Sequence, residues 1–391
     1  MRETRVSLRA RFHARLRDID ADAWNALLPD DNPFLDHAFL DGLERHGCIS
    51  ARTGWRPHHL GLYDEEDRLV AAAPLYLKGN SHGEFVFDWS WASAYAQHGL
   101  DYYPKLLCAV PYSPVTGPRL LAGCGADADA LRGALVETIR GEAERLDLSS
   151  AHLNFSVAAD DAVLDRSDWL ARFDWQFHWL NRPLDQGGWR DFEAFLSALS
   201  HKKRKNIRQE RNRVARAGVS CELRHGDELS EEEWQALHAF YLATFDDKGN
   251  YPALTLAFFH HLGRTMPRRV VAVLCRREGE LVAGTLMLRS SSTLYGRYWG
   301  CIEQIEGLHF EACYYQGIDY CLRQGLSTFE PGAQGEHKLA RGFLPTRTRS
   351  FHWIADPRFR EAIADALARE ARALNGYRDD LLEHSPYAER G

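Results

Sequence analysis

An internal repeat constrains the fold of this chain more than any other feature of its sequence. Residues 62–77 (LYDEEDRLVAAAPLYL) and 274–289 (LCRREGELVAGTLMLR) share five identities at a fixed offset of 212 residues. Each stretch predicts two strands joined by a charged tight turn. In both halves a helical pattern and a short apolar strand pattern follow, at 127–146 and 149–157 and again at 309–324 and 326–329. The repeated order predicts an α+β fold of two similar domains, each with a mixed sheet flanked by helices.

The length of the chain agrees with this division, because 391 residues exceed one ordinary core and favour two domains. Segment 181–191 (NRPLDQGGWRD) has the proline and glycine content of a linker. We therefore predict an N-terminal domain over residues 1–185 and a C-terminal domain, which carries the donor site, over residues 186–391.

The charge of the chain is unevenly distributed. The net charge is −7, yet segment 201–216 (HKKRKNIRQERNRVAR) holds eight Lys or Arg residues against one Glu. Ser200 is a suitable N-cap for a helix here, and Ile207 and Val214 lie seven residues apart on its apolar side. The basic strip is either a solvated helix face or a surface for the phosphates of a nucleotide, lipid headgroup or RNA. It lacks the interleaved aromatic residues expected of single-strand nucleic-acid binders.

Several classes of protein are disfavoured by missing motifs. The eight cysteines include no C-x-x-C pair, and no apolar signal core or 18-residue apolar run occurs, so we expect a reduced cytoplasmic protein without a transmembrane segment. Val6, Leu8, Ala10 and Phe12 alternate with polar residues and predict a first strand. No G-x-S-x-G, P-loop or H-E-x-x-H motif occurs, and we expect no metal site.

An aromatic segment, residues 82–121, lies between the first hairpin and the first long helix. It is either core that plugs a domain interface or one wall of a substrate groove between the two halves, since domain interfaces favour pockets. In the second case Glu84, Asp88 and Lys105 would supply its polar groups. The candidate substrate-binding residues are Glu84, Asp88, Trp89, Trp91, Tyr103 and Lys105.

Two segments of the second half carry candidate chemistry. In QIEGLH (304–309) a glycine precedes a predicted helix, and a helix N-terminus binds anions, so Gln304, Gly307 and His309 are candidate donor-binding residues. The glycine-rich loop PGAQGEHKLARGF (331–343) follows a predicted strand, where sites tend to be built. Its alternative is a solvated surface turn. The candidate catalytic residues are Glu336, His337, Lys338 and Arg341.

Long stretches of the chain resemble one bacterial family. They are FLDHAFLDGLE, TGWRPHHL, SHGEFVFDWSWASAYAQHGLDYYPKLLCAVPYSPVTGPRLL, LSHKKRKNIRQERNRVARAGV and PGAQGEHKLARGFLPTRTRSFHW. The family is Fem-like, concerned with peptidoglycan biosynthesis or recognition, within the GNAT superfamily of N-acyltransferases. The resemblance runs from about residue 20 to 355 and implies two tandem GNAT-like domains. Acyl-CoA-dependent members of the superfamily carry Q/R-x-x-G-x-G/A at the donor pyrophosphate; Gln304 and Gly307 match it, and His309 departs from it.

The resemblance also implies a function. Fem-type transferases move an aminoacyl group from tRNA to an amine of a peptidoglycan precursor. This chain lacks the helical-hairpin insertion of some members, which favours acyl-CoA over tRNA as donor, used as a cosubstrate and not as a tightly bound cofactor. The resemblance thus implies transfer of an acyl or aminoacyl group to a small-molecule or peptide amine. Glu336 or His337 would be the base, and Lys338 or Arg341 would stabilise charge. The alternative is a non-catalytic binding module that recognises an anionic ligand or a cell-wall precursor.

Overall fold

The computed structural model describes residues 7–248, 251–333 and 335–388. Val6, at the start of the predicted first strand, lies outside the described residues, and the strand itself covers Arg9–His13. In the part of the chain that the structure describes, no helix is both long enough and apolar enough to cross a membrane.

The chain divides into two compact units. Unit 1 comprises Met1–Asp174 and Arg347–Asn375, and unit 2 comprises Trp175–Thr346 and Gly376–Gly391. The predicted domains, 1–185 and 186–391, do not include this late return of the chain to unit 1. The difference has a physical reason, because strand pairing and side-chain packing, rather than position along the chain, decide which core a segment joins.

Unit 1 contains two small sheets with helices packed on them. Its strands are β1 (Arg9–His13), β2 (Trp55–Pro57), β3 (His59–Tyr63), β4 (Leu69–Ala73), β5 (Leu75–Lys78), β6 (Lys105–Cys108) and β7 (Ser150–Leu153). Its helices are α1 (Ala21–Asn25), α2 (His37–Arg45), α3 (Trp89–Gln97), α4 (Ala128–Arg145) and α5 (Ala158–Leu164). Strand β8 (Leu170–Leu180), strand β14 (Leu344–Ile354) and helix α12 (Pro357–Glu383) each begin in one unit and end in the other.

The first predicted hairpin is present in unit 1 but is interrupted. Strands β3 and β4 pair antiparallel, and β1 pairs with β3 on the other side. The second strand of the hairpin stops at Ala73, and Pro74 separates it from β5, because proline supplies no N–H to a sheet. Strand β5 joins a different, mixed sheet in the order β2-β5-β6-β7-β14, in which only the β6–β7 pair is parallel.

Unit 2 is built on one mixed sheet. Its further strands are β9 (Val219–His225), β10 (Val270–Arg277), β11 (Glu280–Arg289), β12 (Thr293–Cys301) and β13 (Thr328–Glu330). Its helices are α6 (Phe192–Ala198), α7 (His201–Arg216), α8 (Glu231–Lys248), α9 (Leu256–Thr265), α10 (Leu308–Phe310) and α11 (Gln316–Gln324). Strands β9 to β12 pair antiparallel in the order β9-β10-β11-β12, β13 pairs parallel with β12, and the end of β8 pairs antiparallel with β13.

The elements predicted for the second half are confirmed. The β10–β11 hairpin turns through Glu278 and Gly279, both at positive φ. The basic strip forms α7, which begins directly after Ser200 and buries Ile207 and Val214 in the core of unit 2. The core of this unit therefore covers only one side of the basic helix, and its Lys and Arg residues lie on the other sides.

The geometry of β12 and β13 creates an opening at one end of the unit 2 sheet. The two strands pair only over Thr293–Tyr295 and Thr328–Glu330, although β12 continues to Cys301. A Cβ atom on Gly296 would lie 3.1 Å from the Cα atom of Pro331, so glycine lets the departing chain pass close to β12. The two segments predicted to carry chemistry, 304–309 and 331–343, follow β12 and β13 at this end.

Candidate functional site

A cavity of about 290 Å³ lies in unit 2 at the start of the helix that follows β12. The helix runs from Leu308 through a π-helical turn, Glu311–Tyr315, to the end of α11 at Gln324. Such π-turns inside α-helices are frequent at functional sites. The residues that line the cavity are Thr244, Trp299, Cys301, Glu303, Gln304, Ile305, Leu308 and His309.

Two of the three candidate donor-binding residues line this cavity, and the third does not. Gly307 has a left-handed backbone with φ of +88°, and a Cβ atom there would lie 3.3 Å from the carbonyl oxygen of Glu210 and 3.5 Å from Val214. Glycine is thus required by the backbone conformation and by close packing on α7. His309, by contrast, faces Trp299, with ring centroids 5.4 Å apart.

Lys338 is a buried lysine held by a single backbone oxygen. Its side chain is 2% exposed, and Nζ donates to the carbonyl oxygen of Gly332 at 2.6 Å. No carboxylate forms an ion pair with it among the residues that the structure describes. Burial lowers the pKa of Lys338 to about 8, although the Cys313 side chain opposes part of that shift. The amine is therefore a mixture of charged and neutral forms near neutral pH.

Arg341 has the counter-ion that Lys338 lacks. Its Nη2 donates to Oε1 of Glu210 at 2.7 Å, and its Nε donates to the Tyr315 hydroxyl at 3.1 Å. Tyr315 in turn donates to the other oxygen of Glu210, and the guanidinium lies 3.4 Å from the ring centroid of Phe310. Burial raises the pKa of Tyr315, so this phenol stays protonated. The anion for Arg341 is thus Glu210. Glu336, one of the two candidate bases, accepts from the Tyr377 hydroxyl at 2.6 Å.

His337 presents an imidazole at the surface of the same loop. Its Nε2 lies 2.8 Å from the Tyr314 hydroxyl, and its ring centroid is 6.2 Å from that of His309. Partial burial, together with the charges of Arg341 and Lys338, lowers the pKa of His337. The ring is therefore neutral at physiological pH and can accept a proton.

The structure thus brings most of the predicted residues of unit 2 into one region. His337 connects the loop of Lys338 and Arg341 to His309 at the cavity, whereas Glu336 turns away toward Tyr377. Sequence reasoning missed Glu210, Tyr314 and Tyr315. A signal for Glu210 existed, since it is the one acid in a helix with eight cations. No sequence signal marked the two tyrosines.

In unit 1 three of the candidate substrate-binding residues meet in a buried ionic cluster. Lys105 is fully buried, and its Nζ contacts Asp88 and donates to Oε2 of Glu84 at 2.8 Å and to Ser81 at 2.9 Å. The Tyr102 hydroxyl donates to Asp88 at 2.6 Å. Glu84, Asp88 and Lys105 therefore face one another and do not face solvent.

The electrostatics of this cluster follow from burial and pairing. Burial raises the pKa of Glu84 to about 7, and burial lowers the pKa of the neighbouring Lys78 to about 7. Burial opposes ionisation of Asp88 and Lys105 as well. The Lys105 ammonium nevertheless holds the pKa of Asp88 well below its ordinary value, and the two carboxylates raise the pKa of Lys105. Lys105 and Asp88 thus form a permanent ion pair.

The aromatic candidates of unit 1 differ in position. Trp91 is buried against His352, with ring centroids 4.9 Å apart. The Tyr103 hydroxyl lies 2.8 Å from Oγ of Ser81, at the margin of the ionic cluster. Trp89 lies at the surface. Within the described residues of both units, no group of three or more His, Cys, Asp or Glu side chains is arranged to hold a metal ion.

Comparison with solved structures identifies the fold. The chain is similar to FemX, with a TM-score of 0.52 and 11% identity over 91% of this chain and 100% of FemX. It is also similar to the C-terminal domain of a candidate lysylphosphatidylglycerol synthetase from Agrobacterium fabrum, with a TM-score of 0.53, 11% identity, and coverage of 90% and 96%. L-PGS from Bacillus licheniformis gives a TM-score of 0.50 and 12% identity, with coverage of 86% and 98%. Identities this low establish a shared fold alone.

The predicted fold class, α+β with two tandem GNAT-like domains, is confirmed. No curated protein matches the sequence. The family of FemAB-like proteins, described as peptidoglycan biosynthesis/recognition, matches residues 15–389, which is nearly the whole chain. The chain is a member of the FemAB-like family.

Proposed function

We propose that this protein is an N-acyltransferase that moves an acyl group from acyl-CoA to an amine, with its chemistry in unit 2. Membership in the FemAB-like family supports an acyl or aminoacyl transferase acting on peptidoglycan precursors. The observation that carries the proposal is Lys338, a buried amine that has no carboxylate partner among the residues that the structure describes. It adjoins His337, which reaches His309 at the wall of a 290 Å³ cavity.

The proposed reaction assigns one task to each group. The acceptor nitrogen attacks the thioester carbonyl, the C–S bond breaks, and the products are an amide and a free thiol. The neutral imidazole of His337 takes the proton that the amine loses, and the imidazolium returns a proton to the departing thiolate. The Lys338 ammonium stabilises the tetrahedral oxyanion in a site that largely excludes water, where such a charge acts most strongly. Arg341 is already neutralised by Glu210, so it positions the loop and does not bind the reacting atoms.

The donor would lie in the cavity with its phosphates toward the start of the helix at Leu308. Exposed backbone N–H groups and the helix dipole favour an anion there. Gln304 lines the cavity and can donate to a phosphate. Gly307 packs against α7, and its left-handed backbone permits the sharp turn into the helix.

One observation favours a second candidate function, a non-catalytic binding module of the same fold. The loop before the helix carries two carboxylates, Glu303 and Glu306, and Glu303 lines the cavity. Their charges oppose a pyrophosphate, although Arg277 lies 2.9 Å from Glu303 and Arg213 pairs with Glu306. A protein that recognises a precursor without transferring a group would tolerate these acids better than a coenzyme A enzyme.

Calorimetric titration with coenzyme A separates the two candidates. We expect binding that falls by about tenfold in Gln304→Ala and is unchanged in the matched control Gln209→Ala, on the exposed face of α7. Gly307→Val is a poorer test, because its left-handed backbone and its contact with α7 would disturb the fold itself. Absence of coenzyme A binding by the folded wild-type protein would contradict the acyl-CoA proposal.

The acceptor and any other donor are then sought by mass detection. Acyl-CoAs and charged tRNAs are incubated separately with pools of amines, including soluble peptidoglycan precursors. We expect a mass increase on an amine with acyl-CoA. Transfer from charged tRNA alone would keep the enzyme assignment and replace the donor. No product from any donor, together with tight binding of a precursor, would establish the binding module.

A further inference from the structure

Two thiols face each other across neighbouring strands of the unit 2 sheet. Cys221 on β9 is the direct register partner of Cys275 on β10, and the two Sγ atoms lie 3.3 Å apart. The residues are 54 positions apart in the chain, so no short spacing marked them in the sequence. Directly opposed residues of antiparallel strands have Cα atoms about 4.5–5.5 Å apart, within the range of about 4.4–6.8 Å that a disulfide spans. The two thiols are therefore within reach of a disulfide by side-chain rotation.

The two thiols differ in their access to solvent. Alternate residues of β9 face the core of unit 2, Cys221 and Leu223 among them, whereas Ser220 and Glu222 are exposed. Strand β9 pairs with β10 and with no other strand in the part of the chain that the structure describes, so its outer edge is open. Cys221 on this edge strand is half-buried, and Cys275 on the inner strand is buried. A small oxidant therefore reaches Cys221 before it reaches Cys275.

The local electrostatics set the order in which the two thiols react. The hydrogen bond with Cys221 raises the pKa of Cys275, and burial adds to that rise. The nearby Cys313 and Glu311 side chains raise it further. Cys275 thus stays protonated and is a poor first nucleophile, because the thiolate is the reactive form of cysteine. Access and protonation together assign the first step to Cys221 and the second step to Cys275, which is held beside it.

We propose that Cys221 and Cys275 are an oxidation site, at which a hydroperoxide converts the two thiols into a reversible disulfide between β9 and β10. With hydrogen peroxide, the sulfur of Cys221 attacks one oxygen, the O–O bond breaks, and the thiol proton leaves with the other oxygen as water. The sulfur of Cys275 then attacks the sulfenic acid on Cys221. The S–O bond breaks, and the Cys275 proton leaves with the hydroxyl group as a second water. Two thiols thus lose two electrons in total, and one peroxide is reduced to two water molecules.

The disulfide changes the stability of the edge of unit 2. It links residues 54 positions apart, and it removes conformational freedom from the unfolded chain. It also fixes the strand that directly follows the basic helix, since α7 ends at Arg216 and β9 begins at Val219. Oxidation should therefore raise the thermal midpoint of unit 2 by about 5 °C or more. The inference stands apart from acyl transfer, because it requires neither coenzyme A nor Lys338.

The test is peptide mass mapping of the whole protein, oxidised with hydrogen peroxide while folded and then blocked with N-ethylmaleimide. We expect a peptide linked through Cys221 and Cys275, which dithiothreitol separates, and a higher thermal midpoint that returns to the reduced value with dithiothreitol. Cys221→Ser and Cys275→Ala should both abolish the link and the thermal shift. The second variant places an apolar side chain in the core, so it keeps the test valid if the first folds poorly. The matched control is Cys124→Ser, which removes an exposed thiol of unit 1 and should keep both effects.

Three outcomes would overturn the proposal. The first is absence of the linked peptide from the folded wild-type protein under conditions that oxidise the exposed Cys124, which shows that the peroxide has acted. The second is a link that forms only after the protein is unfolded, since the native sheet would then not bring the thiols together. The third is a thermal midpoint that stays constant or falls when the link forms, because the fold would then not accommodate the bond.

Discussion

Lys105 in unit 1 and Lys338 in unit 2 are two lysines with nearly the same burial and opposite electrostatics. Lys105 is 0% exposed and Lys338 is 2% exposed. Glu84 and Asp88 compensate Lys105 and raise its pKa. Within the described part of the chain Lys338 has one carbonyl partner, and burial lowers its pKa to about 8. Burial alone therefore does not identify a functional lysine. The missing counter-ion does, because an unpaired buried charge costs stability unless a ligand or a reaction intermediate supplies its partner.

The comparison predicts its largest effect on stability at Lys105. Lys105→Met removes the cation that pairs with the buried Asp88 and leaves the buried Glu84 with only Lys78, 3.9 Å away. Removal of one partner of a buried ion pair costs about 3–5 kcal/mol. Urea denaturation should show this loss in the free energy of unfolding. Lys338→Met, with the same change of side chain, is the matched control. Equal unfolding free energies for Lys105→Met and the wild type would remove the contrast between the two lysines.

The second prediction concerns Lys338 and pH. Its folded pKa of about 8 lies below the ordinary 10.5, so the unfolded chain binds the proton more tightly between these values. The loss of folding stability caused by burying the charged Lys338 is complete below pH 8, and it disappears as the pH rises to about 10.5. Lys338→Met should thus be more stable than the wild type at pH 7, by at most about 3 kcal/mol at 1.36 kcal/mol per pKa unit. Denaturation of both proteins at pH 7 and pH 10 checks this, and a variant that melts early at pH 7 would make Lys338 a structural residue.

The third prediction concerns a variant in which Arg341 loses its carboxylate partner. Glu210→Gln removes the carboxylate that pairs with Arg341 and leaves a partly buried cation with only neutral partners. We expect a loss of about 1–3 kcal/mol in stability, the range for an unsatisfied charged hydrogen bond. Gln209→Ala, one residue earlier and exposed, is the control. A stability loss no greater than that of the control would show that Arg341 does not depend on Glu210.

The smallest expected effect concerns the basic helix. Arg208, Arg211 and Arg213 pair with acids, but Lys202, Lys203 and Lys205 have no ion pair in the described structure, although cations are unfavourable near a helix N-terminus. Neutralising the three lysines should change stability by less than about 0.5 kcal/mol.

The same variant tests whether these lysines bind an anion. We expect it to flatten the salt dependence of polyphosphate binding, because fewer counterions are released. The control neutralises Arg52, Arg166 and Arg264, which lie outside the basic helix, are exposed and carry no ion pair in the described structure. A salt dependence equal to that of the wild type would show that the three lysines are solvated and do not bind the anion.

Local sequence patterns predicted the elements well, and tertiary partners much less well. The helix expected at 127–146 is α4 (Ala128–Arg145), and the helix expected near His309 begins at Leu308. Periodicity and capping decide such features within a few residues. Pro74, by contrast, splits a strand between two sheets, and residues 347–375 return to unit 1. Proline itself marks the break, but which sheet each part of the strand joins, and which unit residues 347–375 join, depend on long-range pairing that no local pattern contains.

The candidate sites show the same limit. The sequence indicated Lys338 and Arg341 as candidate catalytic residues. It could not reveal that Glu210, over a hundred residues earlier, neutralises Arg341 and not Lys338. It also grouped Glu84, Asp88 and Lys105 with the aromatic residues of one segment. The structure separates them into a buried ionic cluster and an exposed aromatic surface, because Lys105 draws both acids inward.

The most direct test of the proposed function is the rate of acyl transfer by Lys338→Met. The rate is measured by mass detection with the donor and acceptor that the screen identifies, at equal concentrations of folded wild-type and variant protein. The proposal predicts a loss of roughly 100-fold, the scale for removing one oxyanion donor, with coenzyme A affinity nearly unchanged. Transfer at the wild-type rate by a folded Lys338→Met protein would contradict the assignment of Lys338 to catalysis.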